Sequence, residues 1–227
     1  MEEEKQLLLR LLQFAGCGKR AEALSDALLS EFGSLSRVFS ATPERLCALS
    51  LPLSAAVLLT LPSPTHRHCL LQRIKREHPR CLSADDLGKI FSALLLHNTA
   101  EQICVARLDR EFRIIDVVCL AGGTVNEASF HLRELAGIAL LEGTAFLAVA
   151  HNHPEGDLEP SCADIETTRY MLACLQRLGV PLLEHFVVCG EGYRPLLLNK
   201  RISAVSAHVD PQKFYSVAMR RFEGLDY

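Results

Sequence analysis

No run in this chain approaches the about 20 consecutive apolar residues that a membrane-spanning helix needs, so the sequence predicts no membrane span. An excess of basic charge is missing as well. The 24 Lys and Arg stand against 27 Asp and Glu, for a formal net charge of −3, which removes the global positive field that polyanion binders often carry. Any nucleic-acid contact must therefore be local. Closely spaced cysteine pairs are also lacking: the nine cysteines stand at 17, 47, 69, 81, 104, 119, 162, 174 and 189, no two nearer than twelve positions. That spacing excludes CxxC knuckles and thioredoxin-type pairs, and it predicts scattered buried thiols in a reducing compartment rather than a disulfide framework. The opening MEEEK is acidic where a signal peptide is basic, so the expectation is a soluble cytoplasmic protein.

What is present is ordinary globular material, 49% hydrophobic and 22% charged, over 227 residues that suffice for a sizeable core. From Glu2 to Leu61 the pattern is that of short helices, with glycines closing the runs near Cys17 and at Gly33, and with Thr42 and Pro43 opening ATPERLCAL as N-cap and first helical residue. Residues 63–80 hold Arg67, Arg73, Lys75, Arg76 and Arg80 against Glu77, the one basic cluster; it reads as a solvated helix face, with a phosphate-contacting patch as the alternative. SADDLGKIFSALLLHN reads as a helix capped by Ser83 and Asp86. The period then changes. ICVARLD and RIIDVVCLA form a hairpin about Arg110 and Glu111, GGTVNEAS a loop, HLRELAGIALLEG a helix closed by Gly143, and TAFLAVA a buried strand. ADIETTRYMLACLQRLG is an amphipathic helix ending at Gly179, PLLEHFVVCG a strand, and YRPLLL a last strand. This alternation predicts an α/β fold after a helical start, with boundaries at 1–80, a connecting helix at 81–100, a metal-binding domain at 101–200 and a C-terminal extension at 201–227.

Chemistry gathers around HNHPEGDLEPSCAD, residues 151–164. Positions i and i+2 of a strand project to one side, so His151 and His153 leave the strand end together. The preceding helix, placed at about His131 to Glu142, and the returning strand have similar lengths, which brings Glu134 in the first helical turn back to the level of the histidines. Asp164 approaches on the first turn of the helix that Ser161 opens. Two imidazoles and a carboxylate suit zinc with a fourth position left for water. Glu134 can then take the proton of that water as it attacks a carbonyl, and the Ser161 hydroxyl can donate to the oxyanion.

Each piece also has a plain reading. Ser161 and Asp164 make a capping box, the histidines could be turn residues, and Glu134 an ordinary surface glutamate. It is the joint set E-x16-H-x-H-x7-S-x2-D that points to a metal-dependent hydrolase. A non-haem iron oxygenase also uses two histidines and a carboxylate, but the order of ligands and the glutamate argue against it. Cys162 is expected to be a buried thiol facing away from Asp164. His185 reads as a core or edge histidine, with a partner beside the metal as the alternative.

The H-x-H-x7-S-x2-D string with its upstream glutamate resembles the metal-site signature of the JAB/MPN (JAMM) metallopeptidases. Two longer stretches, GGTVNEASFHLRELAGIALLEGTAFLAVAHNHPEGD and LGVPLLEHFVVCGEGY, are similar to the RadC-like bacterial branch, and the likeness covers roughly residues 83 to 198. It implies a mixed sheet flanked by helices, similar to the cytidine deaminases, although their P-C-x-x-C cysteines are absent. It implies zinc on His151, His153 and Asp164, water activation by Glu134, oxyanion stabilisation by Ser161, and a protein, peptide or small-amide substrate. Asn152, Leu132 and Glu155 depart from the commonest pattern and bear on substrate choice. The N-terminal region resembles a helix-hairpin-helix module, yet LSLPLSAAV stands where a DNA-binding hairpin carries a G-h-G turn. Without glycines at Leu51 and Leu53, and with Pro52 lacking an N–H, close approach to a phosphate should be poor, so DNA binding is expected to be weak or lost. The alternative function is a non-catalytic or DNA-transaction-associated RadC-like protein that uses the metal domain for interaction.

Overall fold

A computed structural model describes residues 2–96, 98, 100–120, 128–154, 156–190 and 192–197. The AGGTVNE stretch at 121–127, Glu155 and the extension at 201–227 lie outside the described residues. The chain divides into two compact units, the first Met1–Cys69 and the second beginning at Leu70.

The first unit is helical: α1 (Glu2–Phe14), α2 (Ala21–Phe32), α3 (Leu35–Ser40), α4 (Pro43–Ala48), α5 (Leu53–Thr60) and the start of α6 (Pro62–Glu77). Short helices need their ends satisfied. Ser34 and Thr42 do this for α3 and α4, each side-chain oxygen accepting a backbone N–H three residues on. Leu8, Leu12, Leu28, Val38, Leu46 and Leu59 meet in one core with no exposure at all.

In the second unit α7 (Ala84–Leu95) opens on a capping box in which Ser83 and Asp86 exchange backbone contacts. Then come β1 (Ile103–Leu108), β2 (Ile114–Leu120), α8 (Ala128–Ala139), β3 (Phe146–Asn152), α9 (Cys162–Leu178), β4 (Leu182–Cys189) and β5 (Gly192–Pro195). The strands form a mixed sheet ordered β2-β1-β3-β4-β5, in which only the β3–β4 pair is parallel. That pair is joined through α9, because parallel neighbours need a crossover and a helix supplies it. Gly179 ends α9 in the left-handed region at φ 74°, a conformation glycine adopts without a Cβ clash.

Alternation along β3 sorts the two faces. Phe146, Ala148 and Ala150 pack toward α7 with Leu87, Phe91 and Leu94. Leu147 and Val149 pack the other way, with Leu135 and Ile138 of α8 and Met171 and Leu175 of α9. His151 continues the second series, so it faces the α8–α9 side.

Three expectations change. Helix α8 begins before His131 and ends at Ala139, short of Gly143, which puts Glu134 in its second turn rather than its first. The last strand stops at Pro195 among the described residues. Cys104 and Cys119 form a disulfide where free thiols were expected, because the hairpin register sets them directly opposite each other. No helix of the described residues is long and apolar enough to cross a membrane.

Candidate metal centre

The centre forms where β3 ends and α9 begins. His151 is the penultimate residue of β3 and is buried, while His153 follows the strand and keeps its direction through a hydrogen bond from its backbone N–H to the Val188 carbonyl (2.8 Å). Asp164 is the third residue of α9. The two Nε2 atoms stand 3.2 Å apart, and the Asp164 oxygens lie 3.1 Å from His151 Nε2 and 3.4 Å from His153 Nε2. Among the described residues these three are the group whose donor atoms converge as metal ligands do.

The fit can be tested against coordination chemistry. Tetrahedral bonds of about 2.0–2.2 Å put donor atoms about 3.3–3.6 Å apart, close to the observed spacing. The proton inventory points the same way. His153 Nδ1 lies 3.0 Å from the Asp157 carbonyl, which can only accept, so Nδ1 carries a hydrogen and Nε2 is the ring nitrogen left to bind a metal. A second imidazole nitrogen and a carboxylate meet it there. Such a donor set fits a metal cation.

Asp164 has two duties at once. Ser161 donates to its Oδ2 through both the hydroxyl and the backbone N–H (2.7 Å each), and the Asp164 backbone N–H returns a bond to Ser161 Oγ (3.1 Å). The capping-box reading and the ligand reading are therefore both satisfied, since Oδ1 turns toward His151. Burial raises the pKa of this carboxyl, but the His151 ring and the Ser161 donors outweigh it and hold the group well below the usual carboxylate range.

Glu134 sits on α8 beside Leu135, which packs on the same sheet face as His151. Its Oε2 is buried with no hydrogen-bond partner among the described residues, a costly condition for a carboxylate unless something polar is to be received there. Arg107 holds the far end of this helix. Its guanidinium grips Asp116 through two bonds (2.7 and 2.9 Å) and reaches the Glu142 carbonyl and Thr144 Oγ1 just after α8.

Around the ligands stand residues whose roles the sequence concealed. His185, fully enclosed on β4, faces the centre: its Nε2 is 2.9 Å from His151 Nδ1 and its Nδ1 is 2.7 Å from Thr168 Oγ1. His185 is thus a core histidine, as first read, and also the partner of a candidate ligand; it pairs with Val149, two residues before His151 on the same face. Burial, together with the neighbouring His151, pushes its pKa well down, so it stays neutral. Asn152 points to the opposite face, accepting from the Gln102 N–H (2.9 Å) and donating to the Ala100 carbonyl (3.1 Å). It ties the approach to β1 to the strand end that carries both histidines. Cys162 is exposed at the first position of α9 rather than buried as expected. Leu132 is half-buried beside the α8 face.

Comparison with known proteins agrees with this geometry. Residues 81–200 match the family described as the RadC-like JAB domain. Curated relatives carry the name UPF0758 protein. One from Vibrio campbellii is 32% identical over 83% of this chain and 84% of its own length, and one from Bordetella petrii is 34% identical over 83% and 84%. A third, from Marinomonas sp., is 34% identical over 87% of this chain and 88% of its own.

Proposed function

Because this chain belongs to the RadC-like JAB domain family, we propose that it is a zinc-dependent hydrolase of the JAMM type, cleaving an amide, peptide or isopeptide bond in a cytoplasmic substrate. One observation carries the reading: a buried Glu134 oxygen, unpartnered among the described residues, on the face of the sheet where His151, His153 and Asp164 bring their donor atoms together. Zinc on those three residues would supply a Lewis acid that polarises a carbonyl and acidifies water to a pKa of about 7. Glu134 then accepts a proton as the water oxygen bonds to the carbonyl carbon, and returns it to the nitrogen as the C–N bond breaks. Ser161 is exposed at the edge of the centre, where its hydroxyl can turn from Asp164 Oδ2 to the developing oxyanion.

Metal analysis of purified protein should find one zinc per chain, lost in His151→Ala. A screen across ubiquitin-like, peptide and small-amide substrates should find hydrolysis that Glu134→Gln lowers about 10²–10⁴-fold with zinc content unchanged. Absence of stoichiometric zinc, or full activity in Glu134→Gln, sinks the proposal. The exposed side chains of Arg73, Lys75, Arg76 and Arg80 favour a second reading, a non-catalytic role in DNA transactions. It would gain if reversing Arg73, Lys75 and Arg76 abolished the cellular phenotype while Glu134→Gln left it intact.

A further inference from the structure

We infer that Thr168 and His185 are positioning residues that fix the protonation pattern of His151, keeping its Nε2 bare toward Asp164 and His153. The inference rests on the metal-site reading above. Its starting point is the short contact of 2.6 Å between Thr168 Oγ1 and the backbone carbonyl of Asp164, one turn earlier on α9. Two oxygens this close repel unless a hydrogen lies between them, and the carbonyl has none to give, so the threonine hydroxyl donates there. Having spent its one hydrogen, Thr168 Oγ1 can only accept from His185 Nδ1 at 2.7 Å. The neutral His185 ring then has its hydrogen on Nδ1 and a lone pair on Nε2. That lone pair faces His151 Nδ1 at 2.9 Å, which must donate to it. A zinc-ligating His151 must offer one bare ring nitrogen, and with Nδ1 committed as a donor that nitrogen is Nε2, 3.1 Å from Asp164 Oδ1.

The polarity is the point. Run in reverse, the same contacts would have Thr168 donating to His185 and His185 donating to His151 Nδ1, and the remaining hydrogen of His151 would occupy the ligand position. The Asp164 carbonyl selects between these patterns. One residue therefore supplies a carboxylate to the centre from its side chain and sets the tautomer of a neighbouring ligand from its backbone. His151, His185 and Thr168 are all buried, so water offers no substitute partner at any link.

The experiment uses the full chain with ¹⁵N-labelled histidine and zinc as the probe. In metal-free wild type, long-range ¹H–¹⁵N spectra should show His151 with its hydrogen on Nδ1. A His151 Nδ1 without a hydrogen would overturn the inference without any variant, which protects the test should a variant fail to fold. Thr168→Val keeps the shape and removes the hydroxyl. It should move the His151 hydrogen to Nε2 and weaken zinc binding about 10–100-fold in chelator competition. Thr168→Ser should restore both readouts, which a packing role for the threonine methyl would not. Unchanged affinity and an unchanged His151 tautomer in a folded Thr168→Val protein would overturn the inference. If wild type binds no zinc, or His151→Ala binds it as well, the metal reading fails instead, and the tautomer spectra still judge the hydrogen-bond chain by itself.

Discussion

Asn152 lies between two histidines that point into the centre, and its own side chain serves the other face of the sheet. It is 3% exposed, and truncation would take an acceptor from the Gln102 N–H and a donor from the Ala100 carbonyl. Asn152→Ala is expected to lower stability by about 1–3 kcal/mol, read as a shift in the urea unfolding midpoint. Unchanged stability would show that those loop contacts are not made in solution. At this scale, legibility depended on sequence distance. His151, His153, Ser161 and Asp164 fall within fourteen positions and announce themselves through spacing. Asn152 meets Gln102 fifty positions away, and His185 meets His151 across thirty-four, so only the strand register reveals their duties.

Among the elements, α7 meets β5 through an unusually close pair of residues. Gly88 faces the Tyr193 ring so tightly that a Cβ at that position would enter the ring's van der Waals envelope, and the Tyr193 hydroxyl is held by Asp85 one turn earlier. Gly88→Ala should gain about 1 kcal/mol in helix propensity and lose about 1–3 kcal/mol to overpacking, for a net lower melting temperature. A higher one would mean that the ring moves aside freely. Burial and the bond to Asp85 push the Tyr193 pKa up from 10.0 to about 12. The folded state thus holds this proton more tightly than the unfolded chain, so its contribution is full below about pH 10 and is lost as pH rises through about 12. Tyr193→Phe should flatten the alkaline fall in unfolding midpoint relative to wild type; identical slopes would remove Tyr193 from the account. Helix α8 depends in turn on Arg107. Arg107→Met should cost about 1.5–3 kcal/mol, toward the lower end because Asp116 keeps some exposure to water. Periodicity showed these helices and strands in the sequence. It did not show where α8 starts, because Thr124, Asn126 and Ser129 all offer capping chemistry before His131, nor that β1 and β2 carry a disulfide, which follows from register rather than from cysteine spacing.

For the whole molecule, a ligand that binds only the folded state stabilises it by mass action. Zinc at a hundredfold excess over its Kd should contribute about 2.7 kcal/mol, seen as a rise of about 5–10 °C in the transition of the second unit and reversed by a chelator. His151→Ala should show no such rise; an equal rise there would place the metal elsewhere. In the first unit Leu51 is buried at 5% exposure and Pro52 before α5 lacks an N–H, so the segment where a phosphate-binding turn would sit offers neither glycine backbone nor that donor. Fluorescence anisotropy with duplex DNA should show no tight binding whose log affinity falls steeply with log salt, and such a slope would contradict this. The alternation of helix and strand made the α/β class readable before the sheet order, which rests on pairings between distant segments. Finally, Asp164 starts α9 as well as offering an oxygen to the centre, so its replacement damages the fold along with the chemistry. On the hydrolase proposal that asymmetry orders the course of decay: a lineage that abandoned such activity should shed His151, His153 and Glu134 while Asp164 lingers as a helix-starting residue. Descendants that kept the histidines and lost the aspartate would refute that order.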